Sequence, residues 1–249
     1  VLALGEPDGS SFPNGGLRST SCARGYTVWC THMPIYVRQK TLIIPTIFMA
    51  WTGDALGFLQ PMIRSSERLS AAAVRMLRAI GGQDAQDVDH VWSSLGCEQE
   101  YFLVDRGLYM QRPDLVATGR AIFGRLPAKS QQLDDHYFGS IPPRVLAYMQ
   151  ETERELWRYG VPVKTRHNEV APGQFETAPI FEESTVAIAH NNLEMNVMQT
   201  IARRHGLEML LHEKPFGGVN GSGKHNNYSF CTNTGVNLFE PTANPIASK

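Results

Sequence analysis

Long apolar runs are missing from this 249-residue sequence: nothing in it approaches the ~18 continuous apolar residues of a helical membrane span, which excludes that class. Cysteine is scarce. Cys22, Cys30, Cys97 and Cys231 are widely spaced and form no C-x-x-C pair, so neither a disulfide framework nor a zinc ribbon is indicated. That favours a reducing compartment, and a cytoplasmic location is the expectation. A basic surplus is also lacking, since 23 Lys and Arg against 24 Asp and Glu leave a net charge of −1. A nucleic-acid binder would carry a positive excess. Internal repeats and low-complexity tracts are absent. The chain opens at Val1 without a methionine or a signal-like apolar segment, so upstream sequence is expected and an organelle stays open as the compartment. What is present is ordinary for a packed protein, 42% hydrophobic and 19% charged residues. Such a length suits one large domain or two small ones and buries roughly 70–75% of its unfolded surface.

Punctuation by Gly, Pro and Ser organises the rest. Residues 1–25 read as turns and loops. Strands are expected at 26–29 and 41–50, the second interrupted by Pro45 and so at an edge. A first helix is expected over 65–80, capped by Ser65 or Ser66 and stopped by Gly81-Gly82, with Leu69, Ala73, Leu77 and Ile80 on one stripe. A domain boundary just before it divides 1–61 from 62–249. The best strand of the middle region is 90–105, HVWSSLGCEQEYFLVD. Residues 106–140 have no firm period and read as irregular. Helices follow at Pro142-Pro143 to Tyr159 and over 184–205, with strand-like segments at 163–169, 208–212 and 224–232. The irregular alternation reads as α+β with a mainly antiparallel sheet.

Glu98 and Glu100 are two apart in a strand and so share one face. A solvated strand face would tolerate them, but the apolar neighbours Tyr101 to Val104 mark a buried strand. Burying two unpaired carboxylates is costly, and a bound cation is the economical explanation. A second acidic pair, Glu169 and Glu176, flanks an Ala-Pro-Gly turn that can return both carboxylates to one site. Four carboxylates suit hard cations such as Mg²⁺ or Mn²⁺, and more than three suggest two ions. The segment 214–229, KPFGGVNGSGKHNNYS, nearly matches a Walker A loop, but His225 stands where Ser or Thr should hold the metal and no amphipathic helix follows. Alternation of His225, Asn227 and Ser229 with Asn226, Tyr228 and Phe230 is strand behaviour, so the P-loop is rejected. Its glycines still allow backbone amides to approach a small anion. His212-Glu213 lacks the second histidine of a zincin, Arg203-Arg204-His205 suits a helix C-terminus, and Met195, Met198 and Met209 read as packing.

Taken together, GEPDGSSFPNGGLR, GCEQEYFLVD, RHNEVAPGQFETAPIF and HEKPFGGVNGSGKHNNYS, in this order and spacing, resemble glutamine synthetase of the large type III class over essentially the whole chain. The resemblance implies a partial N-terminal β-grasp-like domain followed by part of a catalytic domain with a curved, mainly antiparallel sheet flanked by helices. It implies that Glu100, Glu169 and Glu176 hold a first metal ion and that Glu98 and His225 hold a second. Asn220 and Gly221 match positions that bind the glutamate substrate, and Phe181, Asn227 and Ser229 match positions near the nucleotide. Asp8 matches the aspartate that reaches across a subunit boundary to bind and deprotonate ammonium, which implies a ring-shaped homo-oligomer, a dodecamer, with shared sites.

The implied chemistry is ATP-dependent ligation of ammonia to glutamate through γ-glutamyl phosphate, with two or more Mg²⁺ or Mn²⁺ ions per site. The family's last ligand for the second ion, its arginine cluster and its mobile-loop glutamate lie downstream of the matched motifs, and the family extends upstream of Val1. An internal piece of a longer synthetase is therefore expected, one that makes no glutamine alone while the longer parent does. Cys30 sits where an acid is expected and has no functional reading. A ligase for another amine and a non-catalytic protein of the same fold stay open beside the leading reading.

Overall fold

A computed structural model describes residues 25–81 and 83–241. The loop reading of residues 1–25 lies, but for Gly25, outside the described residues. The rest forms two compact units, one from the chain up to Trp92 with Cys231–Val236, the other from Ser93–Phe230 with the residues from Asn237 onward.

The first unit holds strands β1 (Gly25–Trp29), β2 (Tyr36–Arg38), β3 (Thr41–Ile43) and β4 (Thr46–Ala50) and helix α1 (Leu59–Ile80). The single strand expected over 41–50 is two. Pro45 cannot donate to a ladder, and the chain changes partner there: β3 pairs with β2, and β4 pairs antiparallel with β1. Gln39 and Lys40 both take left-handed φ, 48° and 64°, which is the two-residue turn that matches strand twist in a hairpin. Cys30 is fully buried and donates its amide to the Pro45 carbonyl at 2.9 Å. Helix α1 begins six residues earlier than expected, and neither serine caps it. Pro61 fits in its first turn, where no intrahelical acceptor is required. Ser65 and Ser66 instead donate back to the Met62 carbonyl at 2.7 and 3.3 Å.

The second unit is a sheet with the long helices α4 and α5 on one side. Strand β5 (Val91–Asp105) is its spine, followed by α2 (Arg106–Tyr109), α3 (Pro113–Thr118), α4 (Pro143–Arg158), β6 (Val163–Asn168), β7 (Gln174–Pro179), β8 (Glu182–Glu183), α5 (Ser184–Arg204), β9 (Leu207–Leu210) and β10 (Lys224–Thr232). The strand order is β10-β5-β7-β6, with β8 and β9 also on β5. Each pairing with a defined register is antiparallel, so the α+β reading holds. Residues 106–140 are less irregular than expected. Asp105 accepts from the amides of Gly107 and Leu108 and so starts α2, while Pro113 opens α3 and Gly119, at φ 73°, ends it. These helices are too short to show a period. Strand β7 lies where the sequence shows only a turn and its flanking acids, and β9 ends two residues earlier than expected.

The even positions of β5 and the odd ones face opposite ways. Tyr101, fully buried, packs edge-on to Tyr148 of α4 and tilted against Phe175 of β7, each with ring centroids 6.2 Å apart. This is the helix-covered back of the sheet. On the front, Phe102 packs with Leu115, Ala171 and Leu210 in a buried apolar cluster against Phe216. That cluster anchors one end of the front face and leaves its middle to polar groups.

Candidate metal centre

Register puts the acids side by side. Glu100 of β5 lies directly opposite Glu176 of β7, and Glu176 lies opposite His167 of β6. Glu98, two residues before Glu100, shares its face, and His225 of β10 comes to it with Nδ1 at 2.8 Å from a Glu98 oxygen. Glu169 follows β6 directly. Pro172-Gly173 makes the turn that returns the chain: the Gln174 amide donates to the Ala171 carbonyl at 3.0 Å, and Gly173 takes φ 75°. Pro followed by a left-handed Gly is the sequence of a type II turn. The expected residues Glu98, Glu100, Glu169, Glu176 and His225 thus converge on the front face, drawn from three strands and one turn.

His167 Nδ1 stands 3.1 Å from a Glu169 oxygen and 3.2 Å from a Glu176 oxygen. One ligand atom from each of these three residues lies within 4.8 Å of the others. Burial, with the charges of Glu169 and Glu98, pushes the Glu176 carboxyl well above the usual carboxylate range, while His167 opposes the shift. Burial and the charge of Glu100 likewise raise Glu169. Acids this close repel, and a divalent cation among them would offset the repulsion. Oxygen-rich donors with an imidazole at each side fit Mg²⁺ or Mn²⁺.

Backbone and amide groups hold the acids in place. Glu100 accepts from the Gly223 amide at 2.8 Å. Glu98 accepts from the Asn227 side-chain amide at 2.8 Å. Gln174, almost wholly buried, ties the turn to the glycine-rich loop: its Nε2 donates to the Gly221 carbonyl at 2.9 Å and to Ser222 Oγ at 3.1 Å, and its Oε1 accepts from the Ala171 amide at 3.2 Å. A Cβ on Gly221 would overlap the Glu213 carbonyl and the Lys214 side chain, so only glycine allows this approach. Asn220 is gripped by Gln131, which accepts from its amide at 2.5 Å and donates to its Oδ1 at 3.0 Å. The same segment returns to the acids, with His136 Nδ1 2.6 Å from the Glu169 carbonyl oxygen and the Tyr137 ring edge-on to His167 at 4.7 Å.

Of the positions expected near a nucleotide, Asn227 joins the acids through Glu98. Ser229 lies two residues on, paired with Asn237, and Phe181 stands exposed beside Gly96. Asp8 lies outside the described residues. His167, Gln174 and Gln131 are not among the expected residues. A signal existed for His167, which is two before Glu169 on a strand. Gln131 had none, since 89 residues separate it from Asn220.

Comparison with known proteins follows the same outline. The family model described as glutamine synthetase type III N terminal matches residues 1–65, and that described as glutamine synthetase, catalytic domain, matches residues 77–248. The chain is 55% identical over 245 residues to a glutamine synthetase of Bacteroides fragilis (strain YCH46), covering 98% of this chain and 33% of that protein. It is 49% identical over 248 residues to the type-3 glutamine synthetase of Dictyostelium discoideum, again covering 98% and 33%. The chain thus spans about a third of the length of the curated relatives it matches. Among solved structures, one described as apo GmaS without ligand superposes with a TM-score of 0.60 at 22% identity, covering 90% of this chain and 47% of that one. Another, a novel glutamine synthase homolog, gives 0.52 at 16%, covering 82% and 39%. These two speak for the fold alone. Two family models that together take in most of the sequence, with relatives about half identical across nearly all of it, show that the chain belongs to the glutamine synthetase family, in its type III class.

Proposed function

We propose that this chain carries the metal-binding floor of an active site that ligates ammonia to L-glutamate at the expense of ATP, through γ-glutamyl phosphate, giving glutamine, ADP and phosphate. The observation that supports this most is the convergence of Glu98, Glu100, Glu169, Glu176 and His225 on one sheet face. Glu100, Glu169 and Glu176 would hold one Mg²⁺ or Mn²⁺ ion, with His167 at its edge, and Glu98 and His225 a second. Bound there, the ions would neutralise the oxyanions that crowd together during phosphoryl transfer.

The chain's own groups do the positioning. Gln174 and the Gly223 amide keep Glu100 aimed at the face. Asn220 and Gly221 present the glutamate, and the loop that carries them is locked by Ser222 donating its amide to the Glu213 carbonyl at 2.7 Å. Asn227, Ser229 and Phe181 line the approach of the nucleotide. Asp8 serves the ammonium site of a neighbouring subunit in a ring-shaped homo-oligomer, its carboxylate suited by charge to the cation. The organisation that goes with this reading is an N-terminal domain over residues 1–61 and a catalytic region over 62–249.

The test has two arms. Calorimetric titration with Mn²⁺ should give saturable binding that weakens at least 10-fold in the Glu169→Gln/Glu176→Gln double variant. Phosphate release that needs glutamate and ammonium together, measured on the chain and on any longer reading frame containing it, checks the reaction. Binding that ignores the double substitution removes the metal reading, and release that needs neither substrate removes the ligase.

A further inference from the structure

We infer that Glu194, on the far side of the sheet from the acids, is a positioning residue for the metal ligands, gripping from behind the pair of strands that carries them. The inference rests on the metal reading proposed above. Gln99 and Thr177 are directly opposite in the β5–β7 register, and each adjoins a proposed ligand, Gln99 between Glu98 and Glu100, Thr177 after Glu176. Because side chains alternate, these two face back where the ligands face forward. Both are taken up by one turn of α5. Asn191 donates its side-chain amide to Gln99 Oε1 at 3.3 Å, and the Glu194 carboxyl lies against the Thr177 hydroxyl and the Asn191 amide.

Glu194 is 1% exposed, and its Oε1 has no hydrogen-bond partner among the described residues. Burying a carboxyl with an oxygen left over costs stability, so packing alone does not account for it. Helix α5 is itself held firmly at this end. Glu183 accepts from the amides of Thr185 and Val186, and His190 Nδ1 stands 2.6 Å from a Glu182 oxygen. The β5–β7 ladder fixes how far apart the two strands run; what the helix holds from behind is Gln99 and Thr177, the neighbours of Glu100 and Glu176, and with them the tilt at which those carboxylates face forward. Burial pushes the Glu194 acid up to about 8, against the pull of the Lys224 ammonium, so at neutral pH a glutamine is its close mimic.

The experiment measures Mn²⁺ affinity by calorimetry and stability by thermal unfolding, for the native chain and three variants. Glu194→Leu should be as stable as the native chain or more so, yet bind Mn²⁺ about 10- to 100-fold more weakly, the usual loss when support behind a metal ligand goes. Glu194→Gln should keep affinity within about 3-fold, the rescue expected if a neutral hydrogen-bonding group suffices. Thr177→Val, which removes only the gripped hydroxyl, should weaken binding about 10-fold even if Glu194→Leu fails to fold. Native affinity in Thr177→Val or in a folded Glu194→Leu overturns the positioning role while leaving the metal reading standing. No Mn²⁺ binding by the native chain overturns the metal reading, and this inference with it.

Discussion

Arg166 and His167 are neighbours on β6, yet they serve the two faces of one sheet in different ways. Behind it, Arg166 meets Glu153 of α4 with two charge-assisted bonds of 2.5 Å. In front, His167 is shared at 3.1 and 3.2 Å between Glu169 and Glu176. The two acids are equally hidden, with side-chain exposures of 8% for Glu153 and 9% for Glu176. The difference is the partner. A guanidinium is always charged and forks onto a carboxylate, so the back pair is complete in itself. One imidazole for two acids leaves the front with excess negative charge. Where the acid serves the fold, its cation is built in; on the face proposed to bind metal, the countercharge would come with the ion.

The sharpest way to break this comparison is to remove one acid from each face. Glu153→Ala strands Arg166, whose side chain is 36% exposed, and should cost about 2–4 kcal/mol of unfolding free energy by denaturant titration, somewhat less than for a fully buried pair. Glu176→Gln should act in the opposite direction, stabilising the metal-free chain by about 0.5–1 kcal/mol, the scale of removing a like charge from a directly opposed pair. Equal losses in the two variants would mean that the faces do not differ.

A smaller effect is expected from Gly221→Ala. The added methyl runs into the Glu213 carbonyl, so the loop must shift and Gln174 loses its acceptor. Overpacking of this kind costs about 1–3 kcal/mol. The back of the sheet should be untouched, which hydrogen exchange at the α5 amides would check.

The smallest effect sharpens the comparison through pH. Burial, with the charge of Glu100 on Glu169 and of Glu169 and Glu98 on Glu176, raises both acids above the usual carboxylate value of 4.5. The unfolded chain therefore loses those protons first, and metal-free stability falls as pH rises from about 4.5 through the folded values. Glu194 adds to this fall up to about pH 8. Asp105 beside Arg144, and Glu151 beside Arg204 and His205, are lowered and act the other way, losing stability as pH drops below about 4. Melting temperature should thus decline from pH 5 to 7 by about 2–4 °C for each kcal/mol. The decline should lessen in Glu169→Gln/Glu176→Gln and reverse in sign when Mn²⁺ is added, because ligation needs the deprotonated acids.

Much of the front face was legible before the fold. The period of two placed Glu98 with Glu100, the Pro-Gly turn brought Glu169 toward Glu176, and the His225-Asn227-Ser229 alternation marked a strand. The back was not. Glu194 reads as one more acid on a helix that carries polar and apolar residues together, and nothing local says that Thr177 waits beneath it. Local rules also failed where two of them competed. Ser65 and Ser66 look like caps, but the apolar contacts of α1 begin upstream, and hydroxyls inside a helix turn back on their own backbone. Pro45 reads as an interruption within one edge strand; β3 and β4 are both edge strands of two-stranded sheets, but the missing donor ends one hairpin and lets a separate strand begin.

The residues by themselves determined the short-range matters: the antiparallel α+β class, the turns, and which chemical groups share a side of each strand, because alternation and turn preference are properties of a few neighbouring residues. Only the tertiary structure decided which strands lie side by side. The order β10-β5-β7-β6 sets Glu100 opposite Glu176, brings His225 to Glu98 from 127 positions away and puts Asn191 behind Gln99. Such contacts are chosen by burial of the whole sheet against α4 and α5, and a free energy summed over the whole chain leaves no mark at any single position.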